Sequence, residues 1–98
     1  MRIEWDASKA AANVRKHGVS FEEASSVFYD PYALSGRDDV HAVDEDRWIT
    51  IGVSNRLRAL VVVSAEQDEE LIRIISARKA NRAEAQQYEE NRKRATRE

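Results

Sequence analysis

The sequence predicts a small single α+β domain: an antiparallel sheet, built as a meander of three or four strands plus a short N-terminal strand, with two N-terminal helices and one C-terminal helix. Three observations lead there. Two helix-spaced segments with caps occupy the first 30 residues, three strand-like runs with short polar connections fill residues 47 to 77, and the chain closes on a strand, a turn and a capped helix. Ninety-eight residues allow one domain with a modest core, since a chain near this length buries roughly two-thirds of its unfolded surface. The single domain spans residues 1 to 98, with fraying expected from about residue 92.

Taken in order, residues 2 to 5 (RIEW) form a short first strand. Asp6 caps a helix in which Ala7, Ala10, Ala11 and Val14 recur at helical spacing, and Gly18 ends it. Ser20 and Glu23 have the spacing of a capping box for a second helix, with an apolar stripe of Ala24, Val27 and Phe28 that Pro31 stops. KHGVS is therefore a tight helix-to-helix corner. A strand is expected at residues 32 to 35, then a polar, acid-rich segment from Gly36 to Asp46. RWITIGVS alternates, with Ile49, Ile51 and Val53 on one face, and Asn55 begins a turn. The continuous apolar run in residues 57 to 65 (LRALVVVSA) is the pattern of a central strand. Glu66 to Glu70 make an acidic hairpin turn into LIRIISA, residues 71 to 77, and Asn81 with Glu84 opens the last helix as a capping box.

Net charge is −2, unlike the basic balance usual for a nucleic-acid binder, but its distribution is uneven. Residues 1 to 70 carry 8 basic and 14 acidic side chains, and residues 71 to 98 carry 8 basic and 4 acidic. Such polarity suits one anion-binding end and one acidic end, or simply a soluble domain with a basic last helix. The chain has no cysteine, which excludes disulfides, thiolate metal sites and cysteine nucleophiles. It shows no leader and no apolar run of about 20 residues, so a cytoplasmic location is expected.

Arg73 and Arg78 are the leading candidates for chemistry. A guanidinium in an apolar strand needs a carboxylate or a ligand phosphate, and its planar fork suits phosphate. The alternative is a structural pair, with Glu66 or Glu45 answering Arg73 across the sheet. Five residues apart, the two arginines leave opposite faces of one regular strand, so they converge only if that strand ends by about Ala77. His17 can shuttle a proton near neutral pH or cap the first helix's C-terminus. Lys16, Ser76, Lys79, Tyr88 and Trp5 are candidate substrate-binding residues. Each has a plainer role: a solvated lysine, an unactivated serine, or an aromatic ring in the core. Trp48 is read the same way as Trp5. Asp38, Asp39, His41, Asp44 and Glu45 match no metal-binding spacing, so a solvated loop is favoured over a metal site and no cofactor is expected.

The motifs EWDASKAAAN (4 to 13), KHGVSFEEA (16 to 24), Glu45 with Arg47, IGVS (51 to 54), ISARKA (75 to 80) and Tyr88 together resemble the BrnT family. This resemblance, from about Arg2 to about Glu90, implies a RelE-like fold and a ribonuclease toxin of a type II toxin–antitoxin system that inhibits translation by cleaving RNA without metal. It implies as partners the RNA substrate and a small antitoxin with a ribbon-helix-helix-type DNA-binding part. Operator DNA would be reached only through the antitoxin, toxin dimers would sit within a heterotetramer, and no membrane is involved. It also raises the catalytic reading of His17. At Ser64, members of the family carry an aromatic residue or histidine, so a proton-transfer role there would be weakened in this chain. Two other readings remain open: a non-catalytic α+β interaction module with structural arginines, and an RNA-binding domain without cleavage.

Overall fold

The structure, a computed structural model, describes residues 1–40 and 46–97. Of the acidic-loop candidates, His41, Asp44 and Glu45 lie outside the described residues, as does Glu45 in its expected part as a partner for Arg73. Among the described residues no three His, Cys, Asp or Glu side chains converge as metal ligands.

Strand β1 (Arg2–Glu4) leads to α1 (Ala7–His17), α2 (Phe21–Ser26) and a 3-10 turn at Val27–Tyr29. Then come β2 (Leu34–Arg37), β3 (Asp46–Val53), β4 (Ala59–Glu66), β5 (Leu71–Lys79) and α3 (Arg82–Ala95). The strands form one sheet in the order β1-β5-β4-β3-β2. From β2 to β5 it is an antiparallel meander, while β1 runs parallel to β5, so the sheet is mixed rather than wholly antiparallel. β4, the continuous apolar run, sits in the middle, where both faces of a strand are covered.

Local chemistry sets the helix ends. Asp6 accepts from the Lys9 backbone N–H at 3.0 Å and Gly18 ends α1 at φ 70°, a conformation costly for any residue with a Cβ. Ser20 accepts from the Glu23 N–H, but the Glu23 carboxylate turns inward instead of reaching back, so only half of the expected capping box forms. The Asn81–Glu84 box is complete in both directions. α3 runs to Ala95, a turn beyond the expected fraying point.

One face of the sheet carries α1, α2 and the 3-10 turn. Its core is Val19, Phe21, Ala24 and Val27 against Leu60, Val62, Ile74 and Ala77. Two burial expectations change. In α1 the residues facing the sheet are Ala10 and Asn13, with Val14 47% exposed, because the polar Asn13 has backbone partners to satisfy. In β3 the fully buried positions are Thr50 and Gly52, not Ile49, Ile51 and Val53, which share the other face and are half-buried. Gly52 is there because Val27 packs on it: an added Cβ would stand 2.8 Å from Val27 Cγ1.

Candidate active site

The parity problem of the two arginines is solved by a β-bulge. Val63 lies opposite Ser76, and Ser64 lies opposite Ile74, so Ile75 is one residue more than β4 can pair. The strand runs on to Lys79 rather than stopping at Ala77, yet the bulge resets its alternation. Arg73 (opposite Ala65), Ser76 (opposite Val63) and Arg78 (opposite Val61) therefore share one face, the one turned away from α1 and α2. Lys79, opposite Leu60, falls on the helix-bearing face.

Both guanidiniums are paired, though not with the acids expected. Arg73 bonds Glu4 at 3.2 Å, its neighbour across the parallel β1 register; Glu66 projects to the opposite face and Glu45 is outside the described residues. Arg73 also lines a polar cleft of about 350 Å³ with Glu4, Trp5, Asp6 and Lys9. Arg78 holds Glu84 in a two-pronged pair, NH1 and NH2 each 2.8 Å from a carboxylate oxygen. The same carboxylate accepts from the Asn81 N–H, so the capping box of α3 fixes the acid that fixes Arg78. Arg78 first of all, then the Asn81 N–H, holds Glu84 down at about 2, against the opposing effect of burial. Each arginine side chain is nearly half exposed, 47% for Arg73 and 44% for Arg78, and pairs so open to water contribute only ~0–1 kcal/mol. A phosphate can compete for such a guanidinium at small cost.

α1 runs beside β5 in the same direction. Trp5 and Lys9 stand at the level of Arg73 and Ile75, and Asn13 stands at Ala77. Asn13 Nδ2 donates to the carbonyls of Ala77 (2.8 Å) and Val19 (2.9 Å), and its Oδ1 accepts from the Ala77 N–H at 3.2 Å. One helical turn, about 5.4 Å, carries α1 from Asn13 to Lys16 and His17, where it ends. At the end of α1 Lys16 is exposed and His17 half-buried, while at the end of β5 Lys79 is exposed on the helix-bearing face and Arg78 lies on the other face. Arg73 stands apart, five residues upstream, turned toward β1. A single pocket shared by both arginines and the imidazole is not what the fold builds.

Other candidates have structural partners. The Trp5 ring meets Phe21 edge-on, with centroids 6.1 Å apart, and packs against the core. Tyr88 is 5% exposed and its hydroxyl donates to Asp30 Oδ2 at 2.7 Å. Burial, reinforced by Asp30, pushes that phenol well above its usual range, so it remains a donor. Ser76 is half-buried and Ser64, 3% exposed, lies on the helix-bearing face.

Three polar networks were not foreseen. Glu23, 4% exposed, accepts from Ser54 Oγ (2.7 Å), from Arg58 Nε (2.9 Å) and from a second Arg58 nitrogen. Asp30 ties together the Val53 N–H (2.8 Å), the Tyr32 N–H (2.9 Å) and Tyr88. Asn13 is the third, and its signal was present in the sequence: an amide three residues from Ala10, on the same side of α1.

Comparison with protein-family models matches residues 5–84 to the family described as the ribonuclease toxin, BrnT, of type II toxin–antitoxin systems. Among solved structures, the crystal structure of the Brucella abortus ribonuclease toxin BrnT is similar, with 27% identity and a TM-score of 0.64, covering 84% of this chain and 99% of that one. A search of curated proteins finds no match.

Proposed function

The chain belongs to the BrnT family of ribonuclease toxins of type II toxin–antitoxin systems, and from that premise we propose that it is an endoribonuclease that cuts RNA without metal, at the corner where β5 ends and α1 ends. The observation that supports the reading is the Asn13 clamp, which ties α1 to β5 at Ala77, one helical turn before Lys16 and His17 and one or two residues before Arg78 and Lys79. Cleavage needs a base at the 2′-hydroxyl, donors on the non-bridging oxygens and a proton for the departing 5′-oxygen. His17 takes the 2′-hydroxyl proton as that oxygen attacks phosphorus. Arg78, with Lys79 and Lys16, holds the charge that builds on the phosphate, and the P–O5′ bond breaks as the 5′-oxygen gains a proton. Arg73 and Ser76, on the Arg78 face, hold a neighbouring phosphate of the same strand. In the cell this activity inhibits translation in the cytoplasm. The antitoxin that silences it is a small protein with a ribbon-helix-helix-type DNA-binding part, and two toxins pair with two antitoxins.

A second reading has an observation of its own: both arginines already hold carboxylates, as in a non-catalytic module. One assay separates the two. Purified chain is incubated with single-stranded RNA in EDTA, beside Arg78→Ala, Arg73→Ala and His17→Ala, with folding followed by circular dichroism. Cleavage that persists in EDTA and drops by about 10²-fold or more in folded Arg78→Ala and His17→Ala supports the enzyme. Cleavage absent throughout, or equal in all four proteins, leaves the module. Cleavage lost on chelation rejects the metal-free chemistry.

A further inference from the structure

The acidic end of the molecule holds none of the residues assigned to RNA cleavage above, and it surrounds a cavity. About 180 Å³ of space opens on the helix-bearing face between Phe28 and the sheet, lined by Ser35, Trp48, Thr50, Ser64, Glu66 and Ile72. Its volume is below the roughly 300–1,000 Å³ of sites for drug-sized ligands, so it has room for a single side chain or ring. The walls are mainly apolar, yet two polar groups among them lack partners. Trp48 Nε1 is buried and bonds no described residue. Directly opposite it across the β3–β4 register, Ser64 is 3% exposed and its hydroxyl bonds no described residue. Thr50 and Ser35, by contrast, satisfy each other at 2.9 Å.

The charge around this cavity decides the occupant. Glu66 is on its lining, and the connection that follows, with Asp68, Glu69 and Glu70, is exposed. Asp46 lies opposite Glu66, and Arg37, which covers the Trp48 ring at 5.9 Å, is already paired with Asp39 and Asp46. A polyanion is repelled here and a basic chain is attracted. Beside the cavity, β2 ends the sheet, so among the described residues no strand pairs its outer edge and an extended backbone can add there. We infer that this end is a docking site for a basic, extended segment of a partner protein, which seats one apolar side chain in the Trp48–Ser64 cavity and pairs its backbone with the free edge of β2. On the toxin reading proposed above, that partner is the antitoxin, and it grips the molecule on the face opposite Arg73 and Arg78.

The test immobilises the full chain, selects binders from a random decapeptide display library, and titrates the selected peptides while NMR follows the Trp48 and Trp5 indole N–H resonances. Selected peptides are expected to be basic with one bulky apolar residue and to move the Trp48 resonance but not that of Trp5. They should bind about tenfold or more weakly to Ser64→Val, which narrows the cavity, and to Glu66→Lys, an exposed change that leaves the fold intact. No enrichment, peptides without basic character, a still Trp48 resonance, or equal binding to both variants overturns the proposal. A decanucleotide of single-stranded RNA that moves the Trp48 resonance also overturns it and assigns the cavity to the substrate. RNA cleavage by the chain alone, unchanged in Glu66→Lys, is scored separately: its absence from the wild type refutes the ribonuclease reading and leaves the peptide result standing.

Discussion

At the scale of single residues, buried carboxylates and their arginines do different work from exposed ones. Glu23 is enclosed, and the Arg58 hydrogen bonds, opposed by burial and helped by Ser54, hold its carboxyl below the usual range. Removing one partner of such a pair strands the other, so Glu23→Ala is expected to cost about 3 kcal/mol, read as a lower urea midpoint with an unchanged slope. Arg78 is open to water and its value lies in geometry. Its two-pronged hold on Glu84 shows the fork a phosphate would use, which an ammonium cannot copy. Arg78→Lys is therefore expected to keep the fold and lose most of the RNA cleavage. Activity equal to wild type in Arg78→Lys would mean that only charge matters at the β5 exit.

Elements are joined here by close approach and by backbone irregularity. Gly52 lets β3 come against the 3-10 turn, and a methyl group at that position would meet Val27 at 2.8 Å and Ala33 at 3.1 Å. Gly52→Ala is expected to destabilise by about 1–3 kcal/mol, visible as a fall in the thermal midpoint. The opposite sign is expected in the β3–β4 turn. Leu57 adopts φ 60° while 86% exposed, so its side chain contributes little packing and its backbone is in the left-handed region. Leu57→Gly relieves that strain and should stabilise by up to about 1 kcal/mol in the same measurement. The bulge at Ile75 is the irregularity that brings Arg73 onto the face that Ser76 and Arg78 already share by alternation.

The whole molecule is electrically divided, with acids around the β4–β5 turn and bases along α3 and the β5 exit. Five carboxylates among the described residues are held below their ordinary range, and the molecule's response to acid follows from the three that are more than surface groups, Asp6 and Glu89 being the other two. Glu84 sits at about 2 because of Arg78; Glu23 is lowered chiefly by Arg58; for Asp30, burial works upward but the Tyr88, Val53 and Tyr32 donors outweigh it. A depressed folded value means the ionised form is favoured by folding. The stabilisation is complete above the unfolded values near 4, and it erodes as pH falls through the folded ones. Stability measured by urea unfolding is expected to decline steadily from about pH 4.5 down to about pH 2, and Glu84→Gln should flatten the lower part of that curve.

Element identity was legible because it depends on neighbours in the chain. Asp6, Gly18, Asn81 and the valine run around Val62 specify caps and a central strand by spacing alone, and the family was legible from motifs such as KHGVSFEEA and ISARKA. Partnership was not. Glu23 reads as half of a capping box until Arg58 is found beside it, and Tyr88 reads as a phosphate donor until its hydroxyl is found donating to Asp30. Arg73 found Glu4 because β1 pairs in parallel with β5, 69 residues away in sequence. The bulge escaped for the same reason: one extra residue is a relation between two strands, and a single strand's pattern contains no record of it.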